Sequence, residues 1–245
     1  MQPFLLESKI KAAIEKFKDF KPLQSNSQGP SKSQLPGLID HTILKPTATS
    51  DEIRKLCQEA IEYNFKTVCV NSSWIPLCVE VLSGHKTIPI AVVGFPLGAC
   101  DSSTKAFEAS TAIKAGAKEI DMVIQIGRLK ERDYHYVYKD IQAVYEACSN
   151  VPLKVILETS ALTTEEIIAA CVICKEIGVA FVKTSTGFGD GGALAPDVEL
   201  MKAIVGENIQ VKASGGIRTY ESAKKMYNAG ATRLGTSSSV KIMNE

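Results

Sequence analysis

From residue 37 onward, short apolar runs alternate with stretches of helical periodicity, the pattern of a parallel sheet wrapped by helices. Eight runs stand out, at 38–41, 67–70, 88–93, 119–124, 153–158, 180–183, 209–212 and 232–235. Capping boxes mark helix starts between them, Thr49 with Glu52 and Thr163 with Glu166. Eight strands with seven crossovers predict an α/β fold, a closed (β/α)8 barrel of the TIM type over 37–245. Its last helix is expected to be short or missing, since only residues 236–245 follow the eighth run. Ahead of the barrel, residues 1–20 read as an amphipathic helix with Leu6, Ile10, Ala13, Ile14 and Phe17 on one stripe. Residues 21–36, rich in Ser, Gln, Pro and Gly, read as a linker, so that 1–36 form an N-terminal extension.

One regularity supports closure. Asn64, Gly116, Gly178 and Gly230 each suit a left-handed helix cap, and five positions later stand Cys69, Asp121, Lys183 and Gly235. These four fall on strands two, four, six and eight. Interior layers of such a barrel draw on alternate strands, so the shared offset predicts one height and a common site for Asp121 and Lys183. Repeated loop lengths alone would give the same offset.

Composition narrows the field. A length of 245 residues with 45% hydrophobic content suits one barrel. A net charge of +1 leaves no electrostatic footprint for nucleic acid or an anionic membrane, so the expected partners are small molecules and copies of the chain itself, as a dimer or tetramer. Seven cysteines are scattered through apolar patterns with no signal-peptide pattern before them, which fits a reducing, cytoplasmic setting. Cys171 and Cys174 form a C-x-x-C inside a helical pattern without a second pair, and His41, His85 and His135 lack ligand spacing. No metal or other cofactor is expected.

The candidate chemistry lies at 181–189, F-V-K-T-S-T-G-F-G. Phe181, Lys183 and Ser185 share one side of a period-two strand, so Lys183 points inward with Phe181. A buried ammonium is costly, and the site can lower that cost by lowering the lysine pKa. The resulting neutral amine is the nucleophile that Schiff-base chemistry requires. A single lysine of this kind also fits a side chain snorkelling from a strand end. A second in the same setting, Lys212 in V-K-A-S-G-G at 211–216, favours chemistry. Its like charge would hold Lys183 neutral.

These residues sit in motifs that together resemble the deoxyribose-phosphate aldolase family. They are L-I-D-H-T at 38–42, V-V-G-F-P-L-G at 92–98, E-I-D-M-V-I at 119–124, L-K-V-I-L-E-T at 153–159, F-V-K-T-S-T-G, V-K-A-S-G-G-I-R and L-G-T-S-S. The resemblance covers about 37–239. It implies a class I aldolase that interconverts 2-deoxyribose 5-phosphate with glyceraldehyde 3-phosphate and acetaldehyde. It also implies Lys183 as the Schiff-base lysine, Lys212 as the second active-site lysine, Asp121 as the carboxylate working with it, and Asp40 and Lys154 as further polar positions of the pocket. Asp121 between ammonium groups is suited to relay protons. Its structural alternative is an ion pair to Lys212. Cys69, at the shared offset, and Thr184, beside Lys183, are added as candidate substrate contacts.

Phosphate in such barrels often sits on backbone N–H groups after strands seven and eight. Here those loops offer Gly215, Gly216, Gly235, Ser237 and Ser238, with Gly187 after strand six and Arg218 and Arg233 as nearby cations. The chain departs from the family in three places. Phe188 stands where some members have a lysine, Gln125 where asparagine is frequent, and no tyrosine follows Tyr227 to serve as a C-terminal contact. Two rival readings are an imine-forming aldolase for another phosphorylated sugar and a non-catalytic barrel that binds sugar phosphates. Binding alone needs no buried lysine pair, which weighs against the second.

Overall fold

The computed structural model describes residues 3–22 and 29–245. Eight parallel strands close in sequence order, β1 (Ile39–Thr42), β2 (Thr67–Asn71), β3 (Ile88–Val93), β4 (Glu119–Val123), β5 (Leu153–Ile156), β6 (Phe181–Lys183), β7 (Gln210–Ser214) and β8 (Arg233–Thr236). β1 pairs with β8, so the barrel has no free edge. The expected barrel is therefore present, with every strand end within two residues of its run; β5 is the one that stops two residues early. That strand stops at Ile156 because Glu158 turns left-handed, at φ 59° and ψ 61°.

Helices α1 (Pro3–Phe17), α2 (Ser50–Glu62), α3 (Ile75–Val81), α4 (Ser102–Lys114), α5 (Ile126–Lys130), α6 (Tyr134–Cys148), α7 (Thr164–Ile177), α8 (Ala195–Val205), α9 (Tyr220–Asn228) and α10 (Ser239–Asn244) surround it. Both expected capping boxes form, and Thr219 with Ser222 makes a third ahead of α9. The short last helix is α10, of 6 residues. Asn64, Gly116, Gly178 and Gly230 all take positive φ, at 57°, 112°, 81° and 105°. Each reverses the chain after a helix with the same spacing, which brings Cys69, Asp121 and Lys183 inward at equivalent points of their strands.

Two cores follow from strand alternation. Outward residues such as Val68, Ile120, Met122, Val155, Val182 and Val211 pack under the helices. Inside the barrel, Cys69, Ile90 and Val92 form a small apolar cluster with Leu44, whereas the side facing β4 to β8 is filled by charged groups. The helix α1 lies against the outside of α6 and α7 and inserts Leu6 and Ile10, both buried; Ala13, Ile14 and Phe17 pack beside them, half-buried. Residues 1–2 of the expected helix and 23–28 of the expected linker lie outside the described residues. Among the described residues, no helix is long and apolar enough to cross a membrane.

Candidate active site

Parallel register places the charged side chains. Asp121 on β4 stands beside Lys154 on β5, and Lys183 on β6 beside Lys212 on β7. Lys183 Nζ donates to Asp121 Oδ2 at 2.8 Å, and Lys212 Nζ donates to the same oxygen at 2.7 Å. Lys154 Nζ takes the other oxygen, Oδ1, at 2.8 Å. Deeper in the barrel Lys212 pairs with Asp40 at 2.5 Å, Lys154 pairs with Glu119, and Arg233 bridges Asp40 and Glu119 at 2.8 and 3.0 Å. The Thr67 hydroxyl donates to Asp40 Oδ1 at 2.7 Å. Seven charged side chains are thus joined in one network, none more than 8% exposed.

Its charge count is decisive. Asp40, Glu119 and Asp121 are three carboxylates, and Lys154, Lys212 and Arg233 are three cations, so the network is balanced before Lys183 is counted. A fourth cation would be an uncompensated buried charge. The individual groups agree. Burial lowers the Lys183 pKa, Asp121 opposes this, and Lys212 lowers it further, for a net depression. Burial also acts to lower Lys212, but Asp121 and Asp40 together outweigh it and hold this ammonium well above the ordinary lysine range. For Asp121, burial is overcome by Lys154, Lys183 and Lys212, which keep it ionised. Asp40 falls to about 2 because Lys212, Lys154 and Arg233 outweigh its burial. One lysine is thereby committed to charge, and its neighbour is biased toward the neutral amine.

Above the network a cavity of about 470 Å³ opens among the loops that follow the strands. Lys183 is the one member of the network that lines it. Gly187 and Phe188 enter from the loop after β6, Gly215, Gly216 and Arg218 from that after β7, and Gly235, Ser237 and Ser238 from β8 and its loop. Gly215 and Gly216 both have positive φ, 84° and 77°. At Gly235 a Cβ would sit 3.0 Å from Lys212 Cε, so this position leaves the lysine its path. Phe188, half-exposed, meets Phe95 edge-on at a ring distance of 5.3 Å and gives the cavity an apolar wall.

Of the residues expected from sequence, Gly187, Gly215, Gly216, Gly235, Ser237 and Ser238 surround the cavity with Lys183. The Ser238 N–H is already given to Thr236 Oγ1 at 2.9 Å. Asp40, Asp121, Lys154 and Lys212 lie beneath, outside the lining, as does Cys69, whose thiol burial pushes up to about 11. Thr184 is not in the lining either. Its hydroxyl donates to Ser214 O at 3.1 Å and accepts the Ser214 N–H at 3.0 Å, tying the end of β6 to β7. Arg233, expected beside the phosphate loops, instead points into the barrel, because it opens β8 at the N-terminal end; Arg218 does line the cavity. Sequence reading missed Glu119, which period two places on the face of Asp121. It also missed Glu158, and the Lys45–Glu52 ion pair at the cavity wall. Among the described residues no three His, Cys, Asp or Glu side chains converge as a metal site would require.

A closed parallel barrel that offers one amine of a buried ionic network to a cavity beyond its strand ends is built for covalent chemistry on a carbonyl carbon. A family model described as DeoC/LacD family aldolase matches residues 37–243. The chain is 52% identical over 239 residues to the deoxyribose-phosphate aldolase of Thermotoga maritima, covering 98% of this chain and 96% of that one. It is 55% identical over 210 residues to that of Bdellovibrio bacteriovorus, covering 86% and 96%. A solved structure from Coccidioides immitis matches with a TM-score of 0.91 and 42% identity over 97% of this chain and 96% of its own. The tetrameric deoxyribose phosphate aldolase of Aeropyrum pernix matches with a TM-score of 0.81 and 28% identity over 96% and 95%. The chain belongs to the DeoC/LacD aldolase family.

Proposed function

We propose that this chain reversibly cleaves 2-deoxyribose 5-phosphate to glyceraldehyde 3-phosphate and acetaldehyde through a Schiff base on Lys183. The observation that carries the reading is that, of all the charges in the network, only the lysine whose protonation is disfavoured faces the cavity. The relatives at 52% and 55% identity carry that activity in their names.

The neutral amine adds to the C1 aldehyde of the open-chain sugar and loses water to leave an iminium. Removal of the C3 hydroxyl proton then lets the C2–C3 bond break. Its electron pair moves into the C1–C2 bond as the iminium becomes an enamine, and the C3 fragment leaves as glyceraldehyde 3-phosphate. Protonation at C2 and hydrolysis release acetaldehyde and restore the amine. Asp121, ionised and shared by both lysines, holds the amine in place and accepts protons; the committed ammonium of Lys212 is the source from which they return. The sugar phosphate rests on the backbone of Gly187, Gly215, Gly216, Gly235 and Ser237, with Arg218 beside it.

This reading takes no cofactor. It expects a homo-oligomer, dimer or tetramer, in a reducing cytoplasmic setting, in keeping with seven free cysteines. The test is turnover of 2-deoxyribose 5-phosphate by wild type and by Lys183→Leu, in which leucine fills similar space without a charge to desolvate. Wild type turns over and the folded variant does not. A turnover-competent Lys183→Leu protein, or an inactive wild type, overturns the reading.

A further inference from the structure

We infer that Glu158 is a positioning residue, a latch that sets the cavity wall at Gly187 and Phe188 and thereby the affinity for the phosphorylated end of the substrate. Its effect on affinity rests on the function proposed above; its hold on the loop does not.

Glu158 is the residue at which β5 leaves the barrel. A non-glycine side chain in the left-handed region is uncommon and costly, and it persists where its surroundings fix it. Here they do. The chain on either side is pinned to β6 and its end, with the Leu157 N–H on Lys183 O and the Thr159 N–H on Thr184 O, both at 2.9 Å. The left-handed turn aims the carboxylate at the next loop instead of along the barrel. The side chain is buried, and Oε2 accepts both the Thr186 N–H, at 3.2 Å, and a short bond from the Thr186 hydroxyl. Thr186 Oγ1 in turn accepts the Phe188 N–H at 3.0 Å. Gly189 completes the fit, since a Cβ there would stand 3.1 Å from Glu158 Cδ.

The consequence lies at the cavity. Thr186, Gly187 and Phe188 all line it, three to five residues beyond Lys183, yet Glu158 does not touch it. With the N–H groups of Thr186 and Phe188 both engaged on the latch, the backbone of Gly187, at φ 85°, is held between two fixed points. Gly187 is where this loop meets the phosphate in the proposed function. Removing the latch leaves β6 and the lysine network in place and frees only the loop.

The experiment compares Glu158→Ala, Glu158→Gln, Thr186→Val and the Ala/Val double variant. Amide hydrogen exchange across 184–190 is read together with kcat and KM. The Ala and Val variants are expected to exchange faster at 186–188. They should also raise KM for 2-deoxyribose 5-phosphate about tenfold, while kcat and reductive trapping of acetaldehyde on Lys183 change less than about threefold. Glu158→Gln, whose amide oxygen can accept both bonds, stays within about threefold of wild type on every measure. The double variant loses less than the sum of the two singles, because both substitutions break the same Thr186 hydroxyl to Glu158 bond. Unchanged exchange in Glu158→Ala and Thr186→Val, additive losses in the double variant, or a Gln variant as impaired as Ala would overturn the latch. Should Glu158→Ala fail to fold, Thr186→Val decides by the same exchange reading. An inactive wild type would sink the proposed function and leave the latch to be judged on exchange alone.

Discussion

Lys183 and Lys212, in register on neighbouring strands, donate to the same oxygen of Asp121, at 2.8 and 2.7 Å. Two ammonium groups on one carboxylate oxygen, deep in a barrel, are a poor arrangement for stability and a good one for dividing roles. Asp40 breaks the tie by pairing with Lys212 from below. The charge stays on Lys212, and Lys183 is biased toward the neutral amine.

That division predicts a pH profile. Lys212 lowers the pKa of Lys183, so Lys212→Leu should raise it. The amine then stays protonated to higher pH, and the acidic limb of kcat/KM moves upward. Rate against pH for wild type and variant measures the shift. A slower enzyme with an unmoved limb would restrict Lys212 to proton transfer.

Gly235 makes a steric prediction. A Cβ there meets Lys212 Cε and Ser214 Cβ, each at 3.0 Å, so Gly235→Ala should push the ammonium off its carboxylates. Misplacement on this scale is expected to lower kcat on the order of tenfold to hundredfold in a protein that still folds. Wild-type kcat in the variant would show that Lys212 has slack.

Phosphate recognition can be separated from the chemistry at Gly216. A Cβ there meets nothing within 4 Å, but φ is +77°, so Gly216→Val acts through backbone strain and a reshaped loop. Activity on 2-deoxyribose 5-phosphate should fall by most of its value, with a much smaller fall on unphosphorylated deoxyribose. Equal proportional losses, with an unchanged circular dichroism spectrum, would place the phosphate elsewhere.

Acid should unpick the network in a defined window. The folded pKa of Asp40, about 2, lies below its ordinary value of 3.8, so its contribution is complete above the unfolded pKa and is lost as pH falls through 2. That contribution is about 2 kcal/mol, from the size of the shift. Urea midpoints should therefore decline below about pH 4. At neutral pH Asp40→Asn, which leaves Lys212 and Arg233 under-compensated, should lose about 3–5 kcal/mol. Its deficit should narrow as wild-type Asp40 itself protonates. A deficit that does not change with pH would mean that Asp40 is not held ionised.

The barrel was legible because its signals are local. Alternating apolar runs, the Thr49 and Thr163 capping boxes and four left-handed caps each act over a few residues, and the structure contains all of them. The pairing of Asp121 with Lys183 was legible through equal offsets on alternate strands. Arg233 was misplaced because sequence proximity to the β8 loop says nothing about which end of a strand a long side chain reaches from. The Thr184 hydroxyl spends both of its bonds on the neighbouring strand, which its place beside a reactive lysine does not reveal. Glu158 was passed over because a left-handed glutamate leaves no mark in a hydrophobic pattern. The charge balance of three carboxylates against three cations and one spare lysine needed the closed barrel, since its members come from β1, β4, β5, β6, β7 and β8.

The proposed function requires that Lys183, and not Lys212, be the amine presented to the carbonyl. Incubation with acetaldehyde and borohydride, followed by digestion and mass spectrometry, reads this directly, because reduction fixes whichever lysine has formed the imine. A two-carbon unit is expected on Lys183, with Lys212 unmodified. An adduct mapped to Lys212, or no adduct on either lysine, would contradict it.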